Sequence, residues 1–478
     1  MLQQKARSFQ PHLVNLESLV PENNFYRQVE AKLDLSFVRE LVQNHYSFRM
    51  GRPSIDPVVF FKLQLIMFFE GIRSERQLMD MVAMRLDHRW YLGYDLDESV
   101  PNHSSLSKIR DRYGLEVFQK FFERIVELCI EAGLVWGKEL YFDGTKIRAN
   151  ASIESVTHRW YWQAKEHIED LFPESEPIEQ AAIESRFVEK YDGTRLSGRR
   201  AKTYKRTADL KVSPTDPDAS PMSRFNGDRA KLGYHTHYVV DGGKARIILA
   251  ALTTPASIMD NTPMLDLARW VRFRWRIKPE IAVGDAKYGT ITNISELEQD
   301  GIRAYTPITD LRQRTKYYPT ENFDYDTDQD QYICPQGEVL PLWSRRKTEQ
   351  VYVYRADYRI CNACPVKKAC TGSKSGRHIF RPFTQPMLDR VRGYHQTEAY
   401  KKAMRKRQAW VEPLFGEGKQ WHQMRRFRLR RLRKVNIEGL LRAAGQNIKR
   451  LLKQISNKLQ PDPPPPLALF AYFLPTSI

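Results

Sequence analysis

Two aspartates follow short apolar runs at separate places in the chain. Asp143 comes after Leu-Tyr-Phe in KELYFDGTKIRANAS, and Asp285 ends the run IAVGD; glycine and lysine follow each within a few residues. A lone carboxylate is costly to bury without a partner, so neither position suits an ordinary core residue. Functional groups gather where strands of an α/β sheet end, and hard divalent cations prefer carboxylate oxygens. We therefore interpret both as candidate metal ligands.

A third carboxylate would complete such a site, and WVEPLFGEGKQW offers Glu412 and Glu417. We prefer Glu412, because the residues before it predict a buried backbone and Pro413 fits a helix start. Glu417 lies between two glycines and is expected to face solvent. Lys419 lies two helical turns beyond Glu412 on the same face, where it could contact a phosphate. Spacing alone leaves open that the aspartates are only turn formers.

Four of the five cysteines form a second candidate metal site. Cys334 precedes, by a gap of 26 residues, the run CNACPVKKAC, which contains Cys361, Cys364 and Cys370. In a reducing compartment, a CxxC pair with two more cysteines nearby is more often a metal site than a disulfide pair. We expect one structural Zn²⁺; a labile disulfide or four unligated thiols are the alternatives. Cys129 lies on an apolar helical face and is expected in a core.

The charge balance indicates a polyanionic partner. The chain carries 76 Lys and Arg against 57 Asp and Glu, a net charge of +19, and residues 401–453 hold 17 of the basic and 3 of the acidic residues. The run MRRFRLRRLRK at 424–434 has the composition of a surface that follows phosphates. The expected DNA-contacting residues are Lys419, Arg425, Arg426, Arg428, Arg430, Arg431, Arg433 and Lys434.

The elements that hold these residues change type along the chain. Asp56-Pro57 and Ser74 with Gln77 predict helix starts, whereas strand patterns separated by helical ones after residue 136 favour an α/β layer fold with a mixed sheet. The predicted domains are an all-α, DNA-binding N-terminal domain at 1–135, the first part of a catalytic domain at 136–308 with an irregular insertion at 153–230, a cysteine-rich insertion at 309–385, a basic helical completion at 386–456, and a proline-rich tail at 457–478.

Three further observations bear on the core and on the location of the protein. His235 and His237 alternate in a predicted hairpin strand and are interpreted as core-edge or DNA-facing residues. The final helix carries an apolar stripe, which we expect to pack on the catalytic core. No apolar run is long enough to span a bilayer, and the N-terminus lacks a secretion signal, so we expect a cytoplasmic, nucleoid-associated protein without a membrane partner.

Six motifs in order carry a family resemblance: GRPSIDPVVFFK, FDGTKIRANAS, VSPTDPDASPM, GYHTHYVVD, AVGDAKYG and VEPLFGEGK. From about residue 20 to 455 the chain resembles a bacterial DDE-type insertion-sequence transposase. The resemblance implies a ribonuclease H-like mixed sheet flanked by helices, with Asp143 on the first strand, Asp285 on the fourth, and Glu412 on the helix after an insertion. These residues would bind two Mg²⁺ or Mn²⁺ ions about 3.5–4 Å apart, which activate the nucleophile and stabilise the leaving oxygen.

A signature of related transposases is only partly present. The signature consists of Tyr, Arg, Glu and Lys in that order, and its last two members correspond to Glu412 and Lys419. Gln408 occupies the position of the Arg, next to Arg407, and Arg405 occupies the position of the Tyr. The two replaced positions leave open how this helix would contact the end of the transposon.

The resulting interpretation is a transposase that binds terminal inverted repeats in double-stranded DNA, nicks them and transfers strands, acting as a homodimer that joins two ends. A metal-dependent DNA nuclease of the same fold, and a catalytically inactive domesticated DNA-binding relative, are the alternatives.

Overall fold

The computed structural model of the protein describes residues 14–47, 54–163, 211–223, 229–308 and 316–459. The chain divides into two compact units, residues 1–134 with 440–478 and residues 135–439. Most of the predicted irregular insertion and nearly all of the predicted proline-rich tail lie outside the described residues. In the described part, no helix is both long and apolar enough to cross a membrane.

The first unit is helical. Asp56 caps the helix that begins at Pro57 by accepting the N–H of Val58 at 2.8 Å, and Ser74 caps the helix that begins at Glu75 by accepting the N–H of Gln77, so both predicted helix starts are confirmed. Gly114, with φ of 64°, interrupts the helix His103–Glu131 because only glycine adopts this left-handed backbone easily. The helices before residue 135 are α1 Leu16–Leu19, α2 Phe25–Lys32, α3 Phe37–Val42, α4 Pro57–Phe69, α5 Glu75–Met84, α6 Leu86–Leu92 and α7 His103–Glu131.

The described part of the second unit contains a mixed six-stranded sheet, a small two-stranded sheet and a five-stranded antiparallel sheet. The strands of the large sheet are β1 Glu139–Arg148, β4 Ser220–Met222, β5 Lys231–Asp241, β6 Ile248–Pro255, β7 Ile281–Val283 and β8 Arg303–Tyr305, and the small sheet has β2 Thr157–His158 and β3 Lys211–Val212. β1 pairs antiparallel with β5 and parallel with β7. β5 and β6 form the predicted hairpin, since they pair antiparallel across the turn after Asp241. The predicted mixed α/β fold with a helical N-terminal region is confirmed.

Helices of the second unit flank this sheet or lead away from it. They are α8 Met264–Trp275, α9 Ile291–Gln299, α10 Tyr358–Ala363, α11 Lys367–Cys370, α12 Gln385–Tyr394, α13 Glu398–Trp410 and α14 Glu412–Trp421, followed by α15 Leu432–Leu459. Tyr238 of β5 stacks on Phe415 of α14, with ring centroids 4.6 Å apart. This contact holds α14 against the face of the sheet to which Tyr238 points.

The apolar stripe of α15 corrects an expectation. From Leu440 onward this helix belongs to the first unit. There Gly445 lies so close to Phe68 that an added Cβ would come within 2.5 Å of the ring. The expectation that the whole stripe packs on the catalytic core is therefore wrong for this part of the helix.

The five-stranded antiparallel sheet, or second sheet, occupies the cysteine-rich region. Its strands, in spatial order, are β13 His378–Pro382, β12 Val351–Arg355, β11 Val339–Arg346, β10 Gln331–Ile333 and β9 Asp324–Asp326. Tyr354, Leu340 and Ile379 form a small core of their own on one face of this sheet.

Candidate active site

Asp143 and Asp285 lie at matching positions on adjacent strands. In the parallel β1–β7 pair, Tyr141 stands opposite Val283, and each aspartate is two residues further along its own segment. The prediction that Asp143 ends its strand is wrong, because β1 continues to Arg148 while paired with β5. Asp285 does follow the end of its strand.

Glu412 reaches the same region from a helix start. α13 ends at Trp410 and α14 begins at Glu412, with the fully buried Val411 between them. The side chain of Glu412 is 55% exposed. Val411 anchors the junction of the two helices, so the carboxylate at the start of α14 is set beside the sheet.

Arg407 joins two of the three carboxylates. Its guanidinium lies 3.7 Å from Asp143 Oδ2 and 3.6 Å from Glu412 Oε1, and the arginine side chain is only 12% exposed. Sequence reasoning did not assign this residue to the site. The only signal was its place one step from the arginine of the related signature.

The electrostatics of Asp143 reflect this crowding. Burial, together with the smaller effect of the negative charges of Asp285 and Glu412, raises the pKa of Asp143 to about 6, although Arg407 and the N–H of Gly144 oppose the shift. The charges of two acidic groups from distant parts of the chain therefore act on Asp143. A cation near Asp143 would relieve their repulsion.

A fourth carboxylate, missed in the sequence, is linked to Asp285 through Lys287. Asp260 accepts hydrogen bonds from Lys287 Nζ at 2.8 Å and pairs with His235 Nδ1 at 2.9 Å. Burial raises the pKa of Asp260, but these two partners outweigh it and hold the pKa well below its usual range. Asp285 Oδ1 also accepts a hydrogen bond from the backbone N–H of Lys287 at 2.8 Å. This aspartate therefore stabilises a turn as well as facing the site.

Lys419 and Glu417 occupy different surroundings on α14. Lys419 Nζ donates to Thr145 Oγ1 at 2.5 Å, and Thr145 follows Asp143 by two residues on the same side of β1. Glu417 lies 3.5 Å from His422 Nε2 and is 21% exposed. The expectation that Glu417 faces solvent is therefore wrong, and it is Glu412 whose charge reaches Asp143.

The two histidines of β5 lie on the other face of the sheet. In the β1–β5 register, His237 stands opposite Gly144 and His235 opposite Lys146, whereas Asp143 stands opposite Tyr238. Both histidines are buried. Burial lowers the pKa of His237 to about 3, so its ring is neutral. The core-edge interpretation fits this position.

The predicted basic segment is an extended loop held by its backbone. Asp216 Oδ1 accepts the N–H of Arg431 at 2.7 Å, and Asp218 Oδ2 accepts the N–H of Leu432 at 2.6 Å. Because backbone groups make these bonds, the side chains of the segment can point outward. The exposed ones are Arg425, Arg426, Arg430 and Arg431.

The remaining predicted DNA contacts are less exposed. Arg428 is half-buried, and burial lowers its pKa although the charge of Glu438 opposes the shift. Glu438 also accepts the backbone N–H of Arg428 at 2.9 Å. Arg433 and Lys434, in the first turn of α15, are half-buried as well.

All four clustered cysteines line one pocket beside the second sheet. Each is a free thiol, and Cys334 Sγ accepts the N–H of Gln336 at 3.4 Å. Burial raises the pKa of Cys370, and the charges of the other three thiolates act in the same direction. Cys129 is buried in the helical unit, as expected.

Neither candidate metal site is preformed. Among the described residues, no three His, Cys, Asp or Glu side chains are grouped so that they could hold a metal ion. At the carboxylates, Arg407 stands between two of the expected ligands.

Comparison with known families gives two matches. A model described as Transposase domain (DUF772) matches residues 14–112, and one described as Transposase DDE domain matches residues 333–452. The second range contains Arg407, Glu412 and Lys419, while Asp143 and Asp285 lie outside both ranges. No curated protein and no solved structure matches the chain. The resemblance seen in the sequence is confirmed, since both matches support an insertion-sequence DDE transposase.

Proposed function

We propose that this transposase binds the terminal inverted repeats of its own element and carries out metal-dependent end cleavage and strand transfer. Asp143, Asp285 and Glu412 would form its DDE triad. The observation that carries the proposal is the pKa of Asp143, raised by burial and then by the charges of both other acidic groups. Clustered carboxylates of this kind repel one another unless one is protonated or a cation lies between them.

The strand order supports a ribonuclease H-like catalytic domain. Across the large sheet the path runs β6, β5, β1, β7 and β8, with antiparallel pairs on one side of β1 and parallel pairs on the other. Asp143 then belongs to the first of these five strands in chain order, and Asp285 follows the fourth. This is the placement that the family resemblance implies.

The donor set fits a hard divalent cation. Three carboxylates supply only oxygen ligands, which Mg²⁺ and Mn²⁺ prefer over the nitrogen and sulfur ligands of zinc sites. Mg²⁺ or Mn²⁺ held there would lower the pKa of an attacking water or 3′-hydroxyl and offset charge on the scissile phosphate. Arg407 supplies positive charge between Asp143 and Glu412. Its guanidinium would have to move away from at least one of these carboxylates before a metal ion could bind to both.

Positive side chains around the carboxylates are suited to hold the DNA backbone. Lys287 is 64% exposed and is fixed by the more buried Asp260. Lys419 lies beside Thr145. Arg407, released from Glu412, could turn to a phosphate oxygen. Together these cations would orient the scissile phosphate beside the triad, since positioned charges strengthen phosphate binding.

The other parts of the chain would serve binding and assembly. The exposed arginines of the loop 425–431 would follow the backbone of double-stranded DNA. We also propose that the helical N-terminal region contacts DNA and that two copies join two ends as a homodimer. The four cysteines would hold a structural Zn²⁺ after their side chains close on it.

The test is incubation of the full chain with Mg²⁺ and labelled DNA that carries the element's terminal repeats. End-specific nicking followed by joining to target DNA supports transposition. Cutting without end preference would favour the nuclease alternative. Specific binding without cleavage would favour the inactive DNA-binding relative.

A further inference from the structure

One face of the second sheet carries exposed aromatic side chains beside the buried Val353. Tyr354 and Ile379 point into the small core, and they pair with each other across β12 and β13. The next pair along, Val353 with Phe380, therefore points to the opposite face. Phe380 is 51% exposed there.

A second exposed aromatic residue lies on the same face. Trp343 is 64% exposed and falls at the irregularity between Leu342 and Ser344. The guanidinium of Arg355 lies 4.5 Å from its ring centroid. Arg355 is two residues from Val353 on β12, so this contact assigns Trp343 to the face of Phe380.

Arginines surround both rings. Arg346 lies 5.6 Å from the ring centroid of Phe380 and pairs with Glu349 at 3.2 Å. Arg355 also donates from Nε to the carbonyl of Ser375 at 3.0 Å, which leaves its other guanidinium nitrogens available beside Trp343. Each exposed aromatic ring on this face thus has a cation next to it.

The surrounding charge is strongly positive. Residues 339–383 contain ten Lys and Arg and two Asp and Glu. Burial lowers the pKa of His378, on the same face, and the guanidinium charges of Arg355 and Arg346 lower it further. A positive face with exposed aromatic rings matches a polyanion that also presents flat rings.

We propose that this face, formed by Trp343, Arg346, Arg355 and Phe380, binds unpaired DNA by stacking bases on its two aromatic rings. Every base has a π-face, and positive grooves with aromatic side chains are the common design of single-strand binding surfaces. Duplex DNA keeps its bases stacked on one another and offers no free face. The surface is therefore selective for separated strands, such as those at an opened or cleaved DNA end.

The experiment measures binding of the full chain to a labelled oligothymidine and to a duplex of equal length. Mg²⁺ and Mn²⁺ are omitted from the buffer, so binding does not depend on metal ions at the proposed catalytic carboxylates. Trp343→Ala and Phe380→Ala should each weaken single-strand binding about tenfold and change duplex binding by less than about twofold. Trp343→Phe, which keeps a ring, should restore most of the lost affinity.

Phe273→Ala is the matched control, because Phe273 is an aromatic residue on α8 with 87% exposure. It should leave both affinities unchanged. Unchanged single-strand binding in both alanine variants would overturn the proposal, and so would equal losses for single strand and duplex. A shift in oligomeric state on sedimentation, with DNA binding unchanged, would instead identify the face as a contact between copies of the chain. Thermal unfolding at the wild-type midpoint verifies that each variant is folded.

Discussion

Asp143 on β1 and Asp285 just beyond the end of β7 lie level with each other on two adjacent parallel paths of the chain. Tyr141 and Val283 are paired, and each aspartate lies two residues beyond its member of that pair. Side chains repeat every two residues along a strand, so the Asp143 carboxylate projects towards the side of the sheet to which Tyr141 points. Asp285 follows β7 at the same level, where the chain turns. This relationship explains how the charge of Asp285 raises the pKa of Asp143.

The raised pKa of Asp143 predicts how stability depends on pH in metal-free protein. Its value of about 6 in the folded chain exceeds the ordinary 3.8, so the folded state binds this proton more tightly. The contribution to stability is full below about pH 4 and is lost as pH rises through about 6, a change of about 3 kcal/mol at about 1.4 kcal/mol per unit.

Urea unfolding in EDTA between pH 4 and pH 8 measures this effect by comparison with Asp143→Asn, which cannot titrate there. The free energy of unfolding of the wild type should fall relative to that of the variant as pH increases. A difference between the two proteins that does not change with pH would contradict the assignment.

Arg407→Gln should strengthen divalent metal binding. The guanidinium competes with a cation for Asp143 and Glu412, and removing a partly exposed ion pair worth about 1 kcal/mol corresponds to about fivefold in affinity. Calorimetric titration with Mn²⁺ measures this change. Arg405→Gln is the control, because Arg405 lies on the same helix with its side chain 73% exposed. Weaker Mn²⁺ binding by Arg407→Gln would show that the arginine supports the site instead.

The double variant Arg425→Gln/Arg430→Gln should weaken binding to repeat-containing duplex DNA and reduce its salt dependence. Each lost phosphate contact lowers the slope of log affinity against log salt by about 0.9. Fluorescence anisotropy over a series of KCl concentrations measures the slope. Arg392→Gln, which removes a half-exposed arginine of α12, should leave it unchanged. An unaltered slope in the double variant would rule out this loop as the phosphate contact.

The cysteine cluster should contain about one zinc ion per chain, the number that four thiolates closing one tetrahedral site would hold. In the double variant Cys361→Ser/Cys364→Ser, zinc content should drop to near zero and the thermal midpoint should fall, because two of four ligands are gone. Mass spectrometry of the metal content tests this, with Cys129→Ala as the control. Wild-type protein without zinc, or a double variant that keeps it, would contradict the site.

Local patterns in the sequence were sufficient for helix starts and for the hairpin. Asp56 and Ser74 act through their own neighbours, and the turn after Asp241 needs only the strands on either side. The apolar runs before Asp143 and Asp285 likewise predicted adjacent strands. These features depend on short-range chemistry, which a sequence carries directly.

Features that depend on packing between distant elements were not predictable. Arg407 reaches Asp143 only because α13 and α14 lie against the face of β1 that carries Asp143. Asp260 precedes a helix without any periodic signal. Glu417, between glycines, suggested exposure, but the rotation of α14 directs it to His422. The length of β1 was also not predictable, since Gly-Thr-Lys after Asp143 is typical of a turn. These residues continue the strand because they pair with β5.

The most direct test of the triad compares end nicking by Asp143→Asn, Asp285→Asn and Glu412→Gln on terminal-repeat DNA with Mg²⁺. Each should lower the rate at least about a hundredfold, because about 3 kcal/mol of transition-state stabilisation is lost with a metal ligand. Glu417→Gln is the matched control and should remain within about threefold of wild type. Wild-type rates in all three triad variants would contradict the account.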